Sequence, residues 1–311
     1  MGRDNRKGRR IVDGLLLLDK PTGITSNAAL QRVKRLFNAR KAGHTGSLDP
    51  LASGLLPICL GQATKLSAFL LDAEKTYVVT ARFGARTDTA DADGTVVEQS
   101  DITAVSDTQL REALASFRGE IEQVPPMYSA LKHGGRRLYE LARAGQEVGR
   151  EPRRVVIHEL EIESFDPTSP VLRVRCSKGT YVRTLVEDLA RACGTLGHVA
   201  ALRRTGVGPF TADQLVTLDM IEAASAAGQA SLDALLRPID EAIADWPAVE
   251  LGAHEAFYLR QGHAVTGAGG GLTGRVRLYG EGHRFLGVGE ALGDGRVAPR
   301  RLLVNVGGSA G

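Results

Sequence analysis

Residues 43–66 read GHTGSLDPLASGLLPICLGQATKL. One aspartate, Asp49, stands between a glycine-rich turn and an almost uncharged apolar run, and from His44 through Ala63 it is the only acidic residue. Pro50 follows it directly, which biases Asp49 away from helical geometry toward an extended or turn conformation. Gly43, Gly46 and Gly54 permit sharp turns or close backbone approach. Two readings are open from this stretch alone. Asp49 is a turn aspartate bonded to its own backbone, or it is a carboxylate held on a loop above an apolar floor.

Upstream, GLLLLDKPTGITS (14–26) reads as a short buried strand entering a Pro-Gly turn. Thr25 or Ser26 then caps a helix whose apolar positions Leu30, Val33 and Phe37 have helical spacing. Downstream, TYVVTARFG (76–84) alternates like a strand, and RTDTADADGTVVEQ (86–99) reads as a polar, turn-rich connection. Within the latter, TDTADADG fails as a calcium loop: Thr89 and Ser100 fall where charged ligands are needed. DTQLREALASFR (107–118) predicts an amphipathic helix capped by Asp107.

VPPMYSALKHGG (124–135) breaks regular structure and opens a basic, proline-bounded block that reads as an inserted lobe, with RLYELARAG giving one or two helical turns that end at Gly145. RRVVIHELEIESF (153–165) and the alternation around Val174 and Cys176 predict strands, and Arg183 onward predicts a helix through Cys193 with Gly194 as its stop. Residues 210–245 read as helical. After Trp246-Pro247 the texture changes to short glycine-rich strands, VELGAHEAFYLRQGHAV among them, which places a domain boundary near 247.

The length of 311 residues suits about two domains. Three well-separated cysteines, Cys59, Cys176 and Cys193, argue against a disulfide framework or zinc cluster and fit a reducing cytosol. IVDGLLLLDK is too short and interrupted for a signal segment or membrane span. Net charge is only +3, yet the first ten residues carry five basic side chains against one acid. Residues 132–154 carry seven Lys/Arg against three Glu, a pattern that neutralises phosphates or else is a solvated face.

His44 and Asp49 have no partner at metal-ligand spacing, and neither a GxSxG elbow nor a nucleotide-binding glycine motif is present. What remains is one carboxylate, Tyr77 at the start of a strand, and KGTYVRTL with Tyr181 and Arg183. An ionised aspartate in a dry pocket can be a covalent nucleophile. A paired arginine would keep it charged and orient it by bidentate hydrogen bonding. Tyrosines stack on flat rings or move protons. Equally, Tyr77 and Tyr181 are core aromatics and Arg183 a surface charge; spacing alone does not bring them together.

The opening stretch strongly resembles the catalytic motif of the TruB family of pseudouridine synthases, which modify uridine 55 in the T loop of tRNA. LLLLDKPTGITS, RTDTADADG, VPPMYSALKHGGRRLYELARAG and CSKGTYVRTLVEDL resemble further signatures of that family, in its order, over roughly residues 11–245. The fold this resemblance implies is α+β: a mixed, largely antiparallel sheet flanked by helices, with an inserted basic lobe at 124–152 and a small C-terminal β-rich PUA-like domain. The implied division is a flexible basic tail (1–10), a catalytic domain (11–246) and an RNA-binding domain (247–311).

By the same resemblance Asp49 is the nucleophile, with Arg183 paired to it and Tyr77 stacking on the target base and serving in proton transfer. His44 packs into the T loop, Tyr181 and Leu202 line the substrate pocket, and Lys20, Arg136 and Arg137 bind substrate. Asp49 is then expected to be screened from water by Leu55, Leu56 and Ile58, with no second carboxylate near it. The base must leave its stack before the enzyme reaches it. No metal or cofactor is expected. The implied partner is the T-stem loop of tRNA, modified without guide RNA or protein partner by a cytoplasmic monomer. A non-catalytic RNA chaperone and the guide-dependent branch of the family are the rivals; the conjunction of Asp49, Tyr77 and Arg183 favours an enzyme, and the long basic insertion the stand-alone form.

Overall fold

The computed structural model describes residues 8–102, 104–266 and 269–303. The expected flexible tail falls outside these through Lys7, but Arg10 is tied down: its backbone exchanges bonds with Asn38 O and Arg40 N at 2.8 and 2.9 Å. A large sheet dominates the chain, with strands in the order Val216–Thr217, Gly14–Lys20, Ser53–Leu60, Gly197–Val207, Lys75–Phe83, Val171–Cys176, Arg153–Ser164 and Gly119–Gln123. Two neighbour pairs are parallel, Gly14–Lys20 with Val216–Thr217 and Ser53–Leu60 with Gly197–Val207; the others are antiparallel. This is the mixed, largely antiparallel sheet expected.

The uninterrupted leucines of Gly14–Lys20 follow from burial on both faces. Leu16 and Leu18 enter one core with Leu30, Val33, Leu110, Leu185 and Leu189 from helices Ser26–Leu36, Asp107–Ser116 and Val182–Ala192. Leu15 and Leu17 enter the other with Leu66, Leu70 and Ile243. Each fully buried leucine contributes about 1.5–3 kcal/mol, and a strand with two apolar faces does not alternate.

The apolar run of the opening stretch is a strand, Ser53–Leu60, and does not alternate for the same reason. Leu55 and Cys59 face one core, Leu56, Ile58 and Leu60 the other. Pro57 is tolerated mid-strand for a local reason. Its carbonyl accepts Thr45 N–H at 3.1 Å, and its missing N–H would point the same way, where the ladder with Ala42–His44 ends.

Thr25 caps helix Ser26–Leu36, its hydroxyl accepting from Ala28 N at 3.1 Å. In the next helix Ser106 takes the capping role expected of Asp107, through a capping box with Gln109. The stretch 86–99 is a two-stranded ribbon, Ala85–Thr87 with Val96–Gln99. The basic lobe carries the hairpin Lys132–His133/Arg136–Arg137 and helix Leu138–Arg143.

The C-terminal stretch forms a five-stranded sheet, Ala248–Glu250, Thr273–Gly280, Arg284–Leu292, Arg296–Leu302 and Val265–Thr266. Ala253–Arg260, read as strand, is a helix that buries only Ala256 and Leu259 and leaves Phe257 and Tyr258 exposed. The seam between the sheets is tied by several contacts. Arg275 lies 5.2 and 5.4 Å from the ring centroids of Phe69 and Trp246, Tyr279 Oη donates to Asp240 Oδ2 at 2.7 Å, and Lys65 Nζ donates to Leu302 O at 2.8 Å. Among the described residues no helix is long and apolar enough to cross a membrane.

Candidate active site

Asp49 sits on the loop between strands Ala42–His44 and Ser53–Leu60. Its backbone carbonyl accepts Ala52 N–H at 3.1 Å, so the main chain closes this turn and the carboxylate is left for other work. Both flanking residues are pinned. The Ser26 hydroxyl donates to Leu48 O at 3.0 Å and accepts Leu48 N–H at 2.7 Å. Pro50 O accepts Gly23 N–H at 2.8 Å.

Arg183 lies in the first turn of helix Val182–Ala192, and its Nε is 3.0 Å from Asp49 Oδ2. The bidentate fork expected from sequence is not formed. Nη1 donates to Thr89 O at 2.7 Å and Nη2 to Tyr128 O at 2.8 Å. One guanidinium therefore joins the aspartate loop, the 86–99 ribbon and the basic lobe. Its side chain is 6% exposed and that of Asp49 43%. The backbone of Tyr181, which starts the helix, is gripped by the Gln123 amide, Oε1 accepting Tyr181 N–H at 3.0 Å and Nε2 donating to Tyr181 O at 3.3 Å.

A second carboxylate does stand nearby, contrary to expectation. Asp91 is 4% exposed, and its Oδ2 is 3.7 Å from Arg183 Nη1. The acid-free surroundings of Asp49 are a property of the sequence and not of the space around it. Burial pushes the Asp49 carboxyl up, Arg183 and Lys20 pull it down, and Asp91 and Asp93 add to the upward push.

A cleft of about 270 Å³ opens beside the ion pair, walled by Leu48, Tyr77, Ser129, Tyr181, Val182 and Leu202 along with Asp49 and Arg183. Leu55, Leu56 and Ile58, expected as walls, are wholly buried in the sheet and do not line it. Tyr77 extends from strand Lys75–Phe83, directly opposite Arg204 in the ladder. Burial raises the Tyr77 phenol and Arg204 opposes that rise.

The remaining candidates lie outside the cleft. His44, at the end of its strand, is half-buried with Nδ1 unpartnered, and burial followed by the Arg204 charge lowers its imidazole. Lys20 is wholly buried; its ammonium donates to Pro21 O and Ile24 O at 2.7 and 2.8 Å and lies 3.5 Å from Pro50 O, with burial lowering it to about 8. It touches no open surface and acts on the loop from beneath. Arg136 and Arg137 are exposed on the lobe hairpin. Arg143, also exposed, lies 5.6 Å from the Tyr139 ring centroid. Among the described residues no group of three His, Cys, Asp or Glu side chains gathers as a metal site.

The chain resembles known proteins along most of its length. Residues 34–182 match the model of the TruB family pseudouridylate synthase N-terminal domain, 183–244 a tRNA pseudouridylate synthase B C-terminal domain, and 247–303 a pseudouridine synthase II TruB C-terminal domain. The chain is 54% identical over 301 residues to tRNA pseudouridine synthase B of Aromatoleum aromaticum, covering 97% of this chain and 96% of the relative. With the enzyme of the same name from Stutzerimonas stutzeri it shares 52% over 299 residues, 96% and 98% of the two chains. Among solved structures, a chain of a Cbf5-Nop10-Gar1 complex superposes with TM-score 0.71 at 26% identity, over 94% of this chain and 84% of that one. With relatives above half identical along nearly all of it, and models of the same family matched in succession from residue 34 to 303, the chain belongs to the TruB family of pseudouridylate synthases.

Proposed function

We propose that the chain isomerises uridine 55 in the T loop of tRNA to pseudouridine, with Asp49 as nucleophile. The observation that carries this is the Asp49–Arg183 ion pair at 3.0 Å on the wall of a cleft that Tyr77, Tyr181 and Leu202 share. At about 270 Å³ the cleft lies just below the usual range for small-molecule sites, about 300–1,000 Å³. It therefore suits one extruded base. Flipping costs a few kcal/mol of unstacking, which contacts elsewhere on the RNA offset. Tyr77 stacks on the uracil and serves in proton transfer, and Tyr181 and Leu202 hold the ring's other side.

In the reaction the bond from uracil nitrogen 1 to the ribose breaks, the ring turns, and carbon 5 bonds to the same sugar carbon. Carbon 5 gives up its hydrogen as a proton and nitrogen 1 gains one. Bonds are exchanged within one nucleotide, so the balance needs no oxidant or energy carrier. The reading extends to a stand-alone cytoplasmic monomer, supported by near-complete coverage of relatives named tRNA pseudouridine synthase B. It also takes 247–311 as a PUA-like RNA-binding domain.

The test is tritium release from a T-arm hairpin carrying 5-tritiated uridine at the target position, with purified protein and no guide RNA. Release establishes both the isomerisation and its independence of a guide. Tight binding without release would favour the chaperone.

The exposed arginines of the lobe supply a separate prediction. Replacing Arg136, Arg137 and Arg143 together with Ala should weaken tRNA binding and flatten its salt dependence, since each phosphate contact adds roughly 0.9 to the log–log slope on duplex. A slope for the triple variant equal to that of wild type would make this face merely solvated.

A further inference from the structure

Arg204 is the largest fully buried side chain of the described residues, 1% exposed. Its neighbour Arg203 pairs with Asp19 at 2.8 Å, but among the described residues Arg204 has no carboxylate partner. A buried, uncompensated cation is costly, so its hydrogen bonds are informative. Nε donates to Leu55 O at 2.7 Å and Nη2 to Gly46 O at 3.1 Å. Gly46 lies near the start of the loop that carries Asp49, and Leu55 lies in the strand into which that loop runs. The strand bearing Arg204 is pressed against the start of the strand that follows this loop: a Cβ on Gly54 would stand 2.3 Å from Arg204 O, and Gly54 has φ +97°. Arg204 also faces Tyr77 across the ladder.

We propose that Arg204 is a positioning residue for the isomerisation, a planar clamp that fixes the span between Gly46 and Leu55 and thereby the place of Asp49 beneath the flipped base. The inference rests on the functional reading above. Ser26 and Gly23 hold the loop near its tip, and Arg204 holds its feet. A lysine retains the charge but offers one nitrogen, which does not reproduce a fork fixed on two carbonyls. Misplacing a reacting group by about 1 Å costs roughly 10²-fold in rate.

The experiment compares wild type, Arg204→Lys and Arg204→Met in single-turnover tritium release, RNA binding and thermal melting. For Arg204→Lys the expected result is a rate about 10²-fold lower, with the dissociation constant for the T-arm within about twofold and Tm within a few degrees. If Arg204→Met does not fold, Arg204→Lys carries the test alone. A Lys variant within about twofold of the wild-type rate would show that charge suffices and overturn the clamp. So would a rate loss matched by equal loss of RNA affinity or of Tm, since that is a structural role. Wild type serves as the control: if it too releases no tritium, the functional reading fails and not this inference alone.

Discussion

Replacing Asp49 with Asn is expected to abolish tritium release, by at least about 10⁴-fold, while tRNA affinity stays within a few-fold. The amide keeps the shape of the carboxylate but lacks its charge and nucleophilicity, and removing a nucleophile that acts as part of a unit costs most of the rate. Affinity should survive because the exposed arginines of the lobe lie outside the cleft. Stability gives an internal control. The Asp49 carboxyl is raised in the folded state, chiefly by burial. Folding therefore binds its proton more tightly than the unfolded chain does, and ionised Asp49 lowers stability above the usual carboxylate range. The Asn variant should melt at the same temperature or higher. Turnover near wild type would remove Asp49 from its role, and a collapsed Tm would show that the loss was one of folding.

The second large effect is at Arg183. Arg183→Lys should lower kcat by about 10²-fold or more, since an ammonium does not serve Asp49, Thr89 O and Tyr128 O in the geometry of a guanidinium. Arg183→Met should do more. It strands Asp91, only 6% exposed at its side chain, beside a lost cation, and breaking a buried pair costs about 3–5 kcal/mol. It also removes the main influence holding the Asp49 carboxyl down. Any residual activity should then be lost at a higher pH as solutions are acidified, the acid limb of the kcat/KM profile moving toward neutrality. A Lys variant with normal kcat, or a Met variant whose acid limb stays in place, would refute the pairing.

Legibility of these features in the sequence followed local physics. Helix Val182–Ala192 and its stop at Gly194, with φ +76°, were readable because the signals lie within a few residues of one another. Strand Val171–Cys176 was readable because one face is polar. Strand Ser53–Leu60 was not, because both its faces are buried and glycine and proline interrupt it. Strand Gly197–Val207 went unread for the opposite reason: paired arginines in its middle look like surface, yet Arg204 is fully buried. Asp91 lies in a polar, turn-rich connection, and its relation to Arg183 crosses ninety-odd positions that no local pattern spans. A basic residue such as Lys20 announces charge in a sequence but not which way it points, and here it points inward onto backbone carbonyls.

The seam between the two sheets makes them depend on each other. Val288 and Phe285, from the smaller sheet, pack in the same core as Leu15, Leu17 and Leu55 beneath the aspartate loop. Arg275 closes over Phe69 and Trp246 from the same side. The C-terminal sheet is thus a wall of the catalytic half as well as a neighbour to it. Substitutions on its outer surface leave this packing in place, but losing the sheet altogether would leave the larger sheet with an open flank. Its first contribution is accordingly to architecture and its second to affinity.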